Sequence, residues 1–238
     1  MINLLTAKRQ LMGAGLGLTL WGAQVAAQSP MTLEFHAMAG DAPFIFDEFV
    51  HSDPIGGEPF RLRDFRFFLS NVVFSDGTRQ FAVPESYYLI RFDGRSQTYE
   101  VTIPEMPLQT VSEITFAIGL DAQTNGSIAP RGDVDPNSRM AWNWEIGYKF
   151  VLAEGALRGA DGLIPLVYHV GFDENMREQD LALSLESGAR EIAFDVDIMA
   201  LFDGETRLDL SALPTVKMDR NDASALADNF AGLVAQRK

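Results

Sequence analysis

No cysteine occurs in the chain. That excludes a disulfide framework, a thiolate metal site, a cysteine nucleophile and c-type haem attachment. Histidine is scarce, with three residues in all (His36, His51 and His169). Any metal must therefore be held by few imidazoles together with carboxylate, amide, carbonyl or thioether donors. Positive charge is also short: 19 Lys and Arg stand against 33 Asp and Glu, a formal charge of −14. Nucleic acids and anionic membranes reward Lys and Arg, so this balance argues against both. No Gly-x-Ser-x-Gly elbow and no phosphate-cradling glycine loop is present. Carboxylates are so common that none is singled out for glycosidase or triad chemistry.

The first 27 residues read as a secretory signal peptide. Lys8 and Arg9 form the basic start, Leu11 to Leu20 the apolar run, and Val25-Ala26-Ala27 the small-residue cleavage site. The apolar run is too short for a comfortable membrane span. Residues 1–27 carry two basic and no acidic side chains, so cleavage moves the formal charge from −14 to −16. The expected product is an exported single domain over residues 28–238, periplasmic or secreted, with no membrane span after cleavage.

Residues 28–238 read as strands. Leu33, Phe35 and Ala37 alternate with Thr32, Glu34 and His36, placing His36 on the polar face of the first strand. Phe67 to Phe74 is aromatic and β-branched, and Asp76-Gly77 follows as a hairpin turn. The phase of the apolar residues changes near Asp64, which predicts a bend or two elements. Further strands are expected at 87–92, 99–103, 111–120, 142–152, 164–171, 181–185 and 191–198. Residues 173–180 read as loop. A helical spacing of Leu226, Phe230 and Val234 predicts a short C-terminal helix. About nine short strands with Gly, Pro and Asp turns predict an all-β fold, an antiparallel β-sandwich with long loops.

The stretch Met140 to Phe150 contains Trp142 and Trp144, both tryptophans of the expected mature chain. On a strand they share a face, as a core slab or as the wall of a site. A polar loop from Asp121 to Arg139 leads into it, and loops of that length are often functional. Within that loop Asp133 and Asp135 supply oxygen donors suited to calcium. They lack the spaced acids and terminal Glu of an EF-hand, so a solvated turn is the expectation. Met31, Met38 and Met140 are soft donors, with core packing their commoner role.

Ordered blocks of the chain resemble the MbnP-like copper-binding proteins. The blocks are Arg66-Phe-Phe-Leu-Ser-Asn-Val72 with Asp76-Gly77, Tyr87-Tyr-Leu-Ile90, Ile118-Gly-Leu-Asp121, Gly132-Asp-Val-Asp-Pro136, Met140 to Phe150, and Tyr168-His-Val-Gly171. The resemblance implies an exported β-rich protein that is not itself an enzyme and binds one copper ion. Its site would use histidine imidazoles and a tryptophan oxidised to kynurenine. It further implies a partner of the MauG type, in the di-haem cytochrome c peroxidase family. Carried over by position, His169 is the best-matched imidazole and His36 the second; Trp142 or Trp144 is the modified residue. A structural or adhesive sandwich, in which the tryptophan pair is core, is the rival reading; a hydrolase is a third.

Overall fold

The structure is a computed structural model that describes residues 29–143 and 146–238. The expected signal peptide and Trp144 lie outside the described residues. The strands are β1 (Ser29–Ala39), β2 (Ala42–Pro43), β3 (His51–Ser52), β4 (Pro59–Ser75), β5 (Gln80–Ala82), β6 (Tyr87–Asp93), β7 (Thr98–Met106) and β8 (Glu113–Ile118). They continue with β9 (Ala141–Asn143), β10 (Gly147–Gly159), β11 (Gly162–Gly171), β12 (Arg177–Ala182), β13 (Glu191–Asp197), β14 (Thr215–Val216) and β15 (Val234–Gln236). The α-helices are the single turn α1 (Ala122–Asn125) and α2 (Arg220–Asp228).

Two sheets enclose the main core. The smaller has the order β15–β13–β1–β2, with β7 also paired to β1. The larger runs β12–β8–β4–β10–β11–β14; β3, β5 and β6 also pair with β4, and β9 with β10. The all-β expectation holds, but the sheets are mixed and not purely antiparallel. β1 lies parallel to β13, and β11 parallel to β14. A parallel pair needs a crossover between its strands. Between β1 and β13 the chain builds nearly the whole large sheet, a long-range pairing that local alternation cannot reveal.

Strand alternation sets the core. Leu33, Phe35 and Ala37 of β1 point inward and are buried, as their spacing predicts. Phe35 pairs with Phe194 across the parallel register, and the two rings stack at 5.2 Å. Full burial of such side chains contributes about 1.5–3 kcal/mol each. The phase change near Asp64 is a bulge inside one 17-residue strand, not a break. Glu154 of β10 pairs with Asp64 and Gly155 with Leu62, which leaves Arg63 as the extra residue. Gly155 permits this because a Cβ there would sit 1.9 Å from the Arg61 carbonyl oxygen. The bulge keeps Phe60, Leu62, Phe65 and Phe67 facing inward. It turns Asp64, Arg66 and Phe68 to the outer face.

That outer face carries a second, smaller core. Phe68, Leu89, Tyr148, Phe150 and Leu152 project from it, and Leu120, Val134 and Met140 cover them. The covering segment is the polar loop that precedes Trp142. Its aspartates fasten it. Asp133 accepts from the Leu89 amide at 2.9 Å and Asp121 from the Tyr87 hydroxyl at 2.9 Å. Asp121 also caps α1 through the Thr124 amide. Asp135 accepts from the Asn137 amide at 2.8 Å, closing a turn. The two carboxylates considered for a hard cation are thus engaged with backbone amides. Met31, Met38 and Met140 are all buried, Met31 and Met140 within the two apolar clusters.

Three local expectations are corrected. Residues 142–152 are not one strand; β9 and β10 form a hairpin, so the tryptophan stretch contains a turn. Residues 173–180 are not all loop, since β12 begins at Arg177. At the C-terminus α2 ends at Asp228 and Val234 starts β15, so the helical spacing extends beyond the helix. Among the described residues, no helix is long and apolar enough to cross a membrane.

Candidate functional site

The hairpin of β10 and β11 turns at Ala160 and Asp161, with Gly159 paired to Gly162. This tight turn sets the register, so His169 falls opposite Leu152 and Val167 opposite Glu154. Leu166, Tyr168 and Val170 point into the core, so alternation puts His169 and Gly171 on the outer face. His169 is half-buried there.

Trp142, on β9, reaches β11 and packs against the main core cluster. A Cβ built on Gly171 would lie 2.6 Å from Cζ3 of the Trp142 indole. The indole therefore rests directly on the backbone of Gly171, two residues along the strand from His169. At about 3.3 Å per residue the separation along the strand is about 7 Å. The indole also packs against Phe172, with ring centroids 5.1 Å apart. Phe172 is in turn covered by the Arg220 guanidinium, 4.2 Å from its centroid. An open cleft beside this stack is lined by Asn125, Gly147, Phe172, Asp173, Glu174 and Arg220.

A chain of charged hydrogen bonds runs outward from His169. Its Nε2 lies 2.9 Å from Glu154 Oε1. The other oxygen, Oε2, accepts from Arg139 Nη2 at 2.6 Å. Arg139 Nη1 donates to Asp64 Oδ2 at 2.6 Å. Asp64 also accepts a two-pronged contact from Arg66 at 2.7 and 2.8 Å. Lys149 Nζ donates to the Arg139 carbonyl at 2.5 Å, which ties the loop backbone to β10. The β4 bulge is what brings Asp64 to this face.

The surroundings of His169 favour its uncharged form. Burial pushes His169 below the ordinary histidine value, and the bond to Glu154 opposes this only in part; the Lys149 charge adds to the lowering. Burial pushes Glu154 upward, but the His169 bond and the Arg139 charge outweigh it, so its carboxyl lies below the ordinary glutamate value. A neutral imidazole is the form that coordinates metal.

The remaining imidazoles lie elsewhere. His36 is on the outer face of the small sheet, where its Nε2 lies 3.2 Å from Glu34 Oε2. The main core separates that face from the one carrying His169. The expected pairing of His36 with His169 is therefore not made within this chain. Both occupy outward positions in their strands, and two different sheets point them in opposite directions. His51 stacks on Phe44 at 3.9 Å and its Nε2 lies 3.0 Å from the Ile45 carbonyl. Among the described residues there is no group of three or more His, Cys, Asp or Glu able to hold a metal. Of the sequence candidates, the structure places Trp142 against Gly171, two residues along β11 from His169.

Glu154, Arg139 and Gly171 were missed by the sequence reading. The register of the β10–β11 hairpin was the usable signal: once Gly159 pairs with Gly162, Glu154 and His169 become same-face diagonal neighbours.

A family model described as MbnP matches residues 28–219. Among solved structures, MbnP from Methylosinus trichosporium is similar, with a TM-score of 0.57 and 16% sequence identity. The alignment covers 76% of this chain and 80% of that one. At that identity the likeness is one of fold. No curated protein matches the chain.

Proposed function

We propose, from the premise that this chain belongs to the MbnP family, that it is an exported, periplasmic copper-binding protein, not itself an enzyme, with its site on the outer face of the large sheet. The observation that supports this reading is the seating of the Trp142 indole on Gly171, two residues from the half-buried imidazole of His169. One imidazole joined by the donors of an oxidised Trp142 would fit a soft, low-coordinate cation such as Cu(I). His169 offers imidazole nitrogen, and Trp142 offers no ligand atom until it is oxidised. Kynurenine would supply an aniline nitrogen and a ketone oxygen at that place. His36 is not part of this site.

The oxidation is assigned to a separate di-haem protein of the MauG type that consumes peroxide. Two peroxides deliver two oxygen atoms to the indole C2–C3 bond, which breaks to give N-formylkynurenine, and two waters leave. Hydrolysis then releases formate and leaves kynurenine. This chain's part is to hold the ring. Gly171 and Phe172 both pack against it, and the hairpin of β9 and β10 carries it.

Copper titration tests the reading. Wild type and His36→Ala are expected to bind alike, and His169→Ala to lose binding by at least tenfold. Equal binding by all three variants overturns the site and favours the rival, a sandwich in which Trp142 is packing alone. Mass spectrometry of protein from its native host is expected to find kynurenine in the peptide that carries Trp142 and Trp144. Fragmentation assigns it to one of them; kynurenine at Trp144 with Trp142 intact overturns the assignment to Trp142.

A further inference from the structure

The proposed site contains a carboxylate whose role the copper reading does not define. Glu154 stands on the same face as His169, with one oxygen toward the ring and the other toward Arg139. An ionised carboxylate only accepts hydrogen bonds, so the nitrogen facing it must donate. At 2.9 Å the Nε2···Oε1 contact is a full hydrogen bond. Nε2 therefore carries a proton, and whenever the ring is uncharged its lone pair is on Nδ1.

We propose that Glu154, held by Arg139, is a positioning residue that fixes the His169 tautomer so that Nδ1 is the nitrogen offered to a metal. This deepens the copper reading and rests on it. The same geometry orients metal-binding histidines generally, where the ring nitrogen away from the metal is tied to a carboxylate. Here the tie is itself supported. Arg139 spans Glu154 and Asp64, and Asp64 is gripped by Arg66, so the carboxylate is held from two strands and one loop. Arg139 belongs to the segment that leads directly into Met140, Ala141 and Trp142. One guanidinium thus fastens the loop that delivers the indole and the carboxylate that orients the imidazole.

The arrangement predicts opposite tautomers for two conservative variants. In Glu154→Gln, the Arg139 guanidinium can only donate, so it takes the amide oxygen. The amide nitrogen then faces His169 and donates to Nε2, which moves the ring proton to Nδ1. That hides the lone pair the metal needs, as a misoriented neutral partner does in a catalytic triad. In Glu154→Ala neither nitrogen is directed and the tautomers mix. Nitrogen-15 spectra of the histidine side chains in the metal-free protein read this directly. The expected result is Nε2–H in wild type, Nδ1–H in Glu154→Gln and a mixture in Glu154→Ala. Cu(I) affinity is expected to fall about 10–100-fold in Glu154→Gln and by less in Glu154→Ala. Arg139→Lys provides a second check, because loosening the anchor is expected to broaden the tautomer preference without removing the carboxylate.

A wild-type ring protonated at Nδ1, or a Glu154→Gln ring still protonated at Nε2, overturns the inference whatever copper does. The expected tautomers combined with wild-type copper binding by His169→Ala overturn the copper reading instead. Circular dichroism of each variant confirms that its fold is retained.

Discussion

The contact between Trp142 and Gly171 invites a quantitative test. In Gly171→Ala the new Cβ would lie 2.6 and 2.8 Å from Cζ3 and Cη2 of the indole, and 2.4 Å from the Tyr148 carbonyl oxygen. Carbon atoms pack at about 3.5–4.0 Å, so the indole must retreat by about 1 Å. It cannot retreat freely, because Phe172 packs against it at 5.1 Å and Arg220 lies over Phe172. Overpacking of this kind costs about 1–3 kcal/mol, and the lost aromatic pair adds about 0.5–1.5 kcal/mol. A loss of about 2–3 kcal/mol is expected, measured as a lower midpoint in urea unfolding. The Tyr148 carbonyl accounts for a share that remains when the indole is gone. In a Trp142→Ala background the same substitution should therefore be cheaper by at least about 1 kcal/mol. An equal cost in both backgrounds would refute the packing argument, since the indole would then not be what the methyl group meets.

His51 gives a pH-dependent prediction away from the candidate site. Burial against Phe44 lowers its pKa, opposed only in part by the bond to the Ile45 carbonyl. A folded value below the unfolded one means that the unfolded chain binds more protons as pH falls below about 6.5. Its stabilising contribution is complete above that value and is lost as pH falls; His51→Gln should flatten the fall in urea midpoint between pH about 7.5 and about 5.5. An unchanged slope counts against a buried neutral ring. Arg139→Ala leaves Glu154 and Asp64 without their shared partner. Because Arg139 is mostly exposed, the expected loss is about 1 kcal/mol at low salt, shrinking as salt is added. A salt-independent loss would point to packing by its alkyl stem.

Much of the strand content was legible. The alternation of Leu33, Phe35 and Ala37 with Thr32, Glu34 and His36 depends only on the period of a strand, and the burial follows it. Asp76 marks a turn for the same local reason: its carboxylate bonds the amides of Thr78 and Arg79. The phase change at Asp64 was visible but ambiguous. A bulge, a bend and a strand break leave the same trace in one strand, and only the partner strand, through Gly155, shows which it is. The parallel pairing of β1 with β13 left no local trace at all.

The candidate site divides in the same way. Scarcity of imidazole, absence of thiolate and the Trp142–Trp144 stretch follow from composition and order alone, and they narrowed the chemistry to a few residues. Which of those residues meet was decided by the fold. His36 stands on the polar side of its strand and His169 in an otherwise apolar run, and the structure makes each an outward residue. They part because their strands belong to different sheets, with a core of aromatic side chains between them. Trp142 comes to rest on β11, two residues from His169, because β9 folds back along β10 and Gly171 leaves room for the indole. Periodicity is a property of one strand, whereas proximity across sheets is set by long-range pairing and packing.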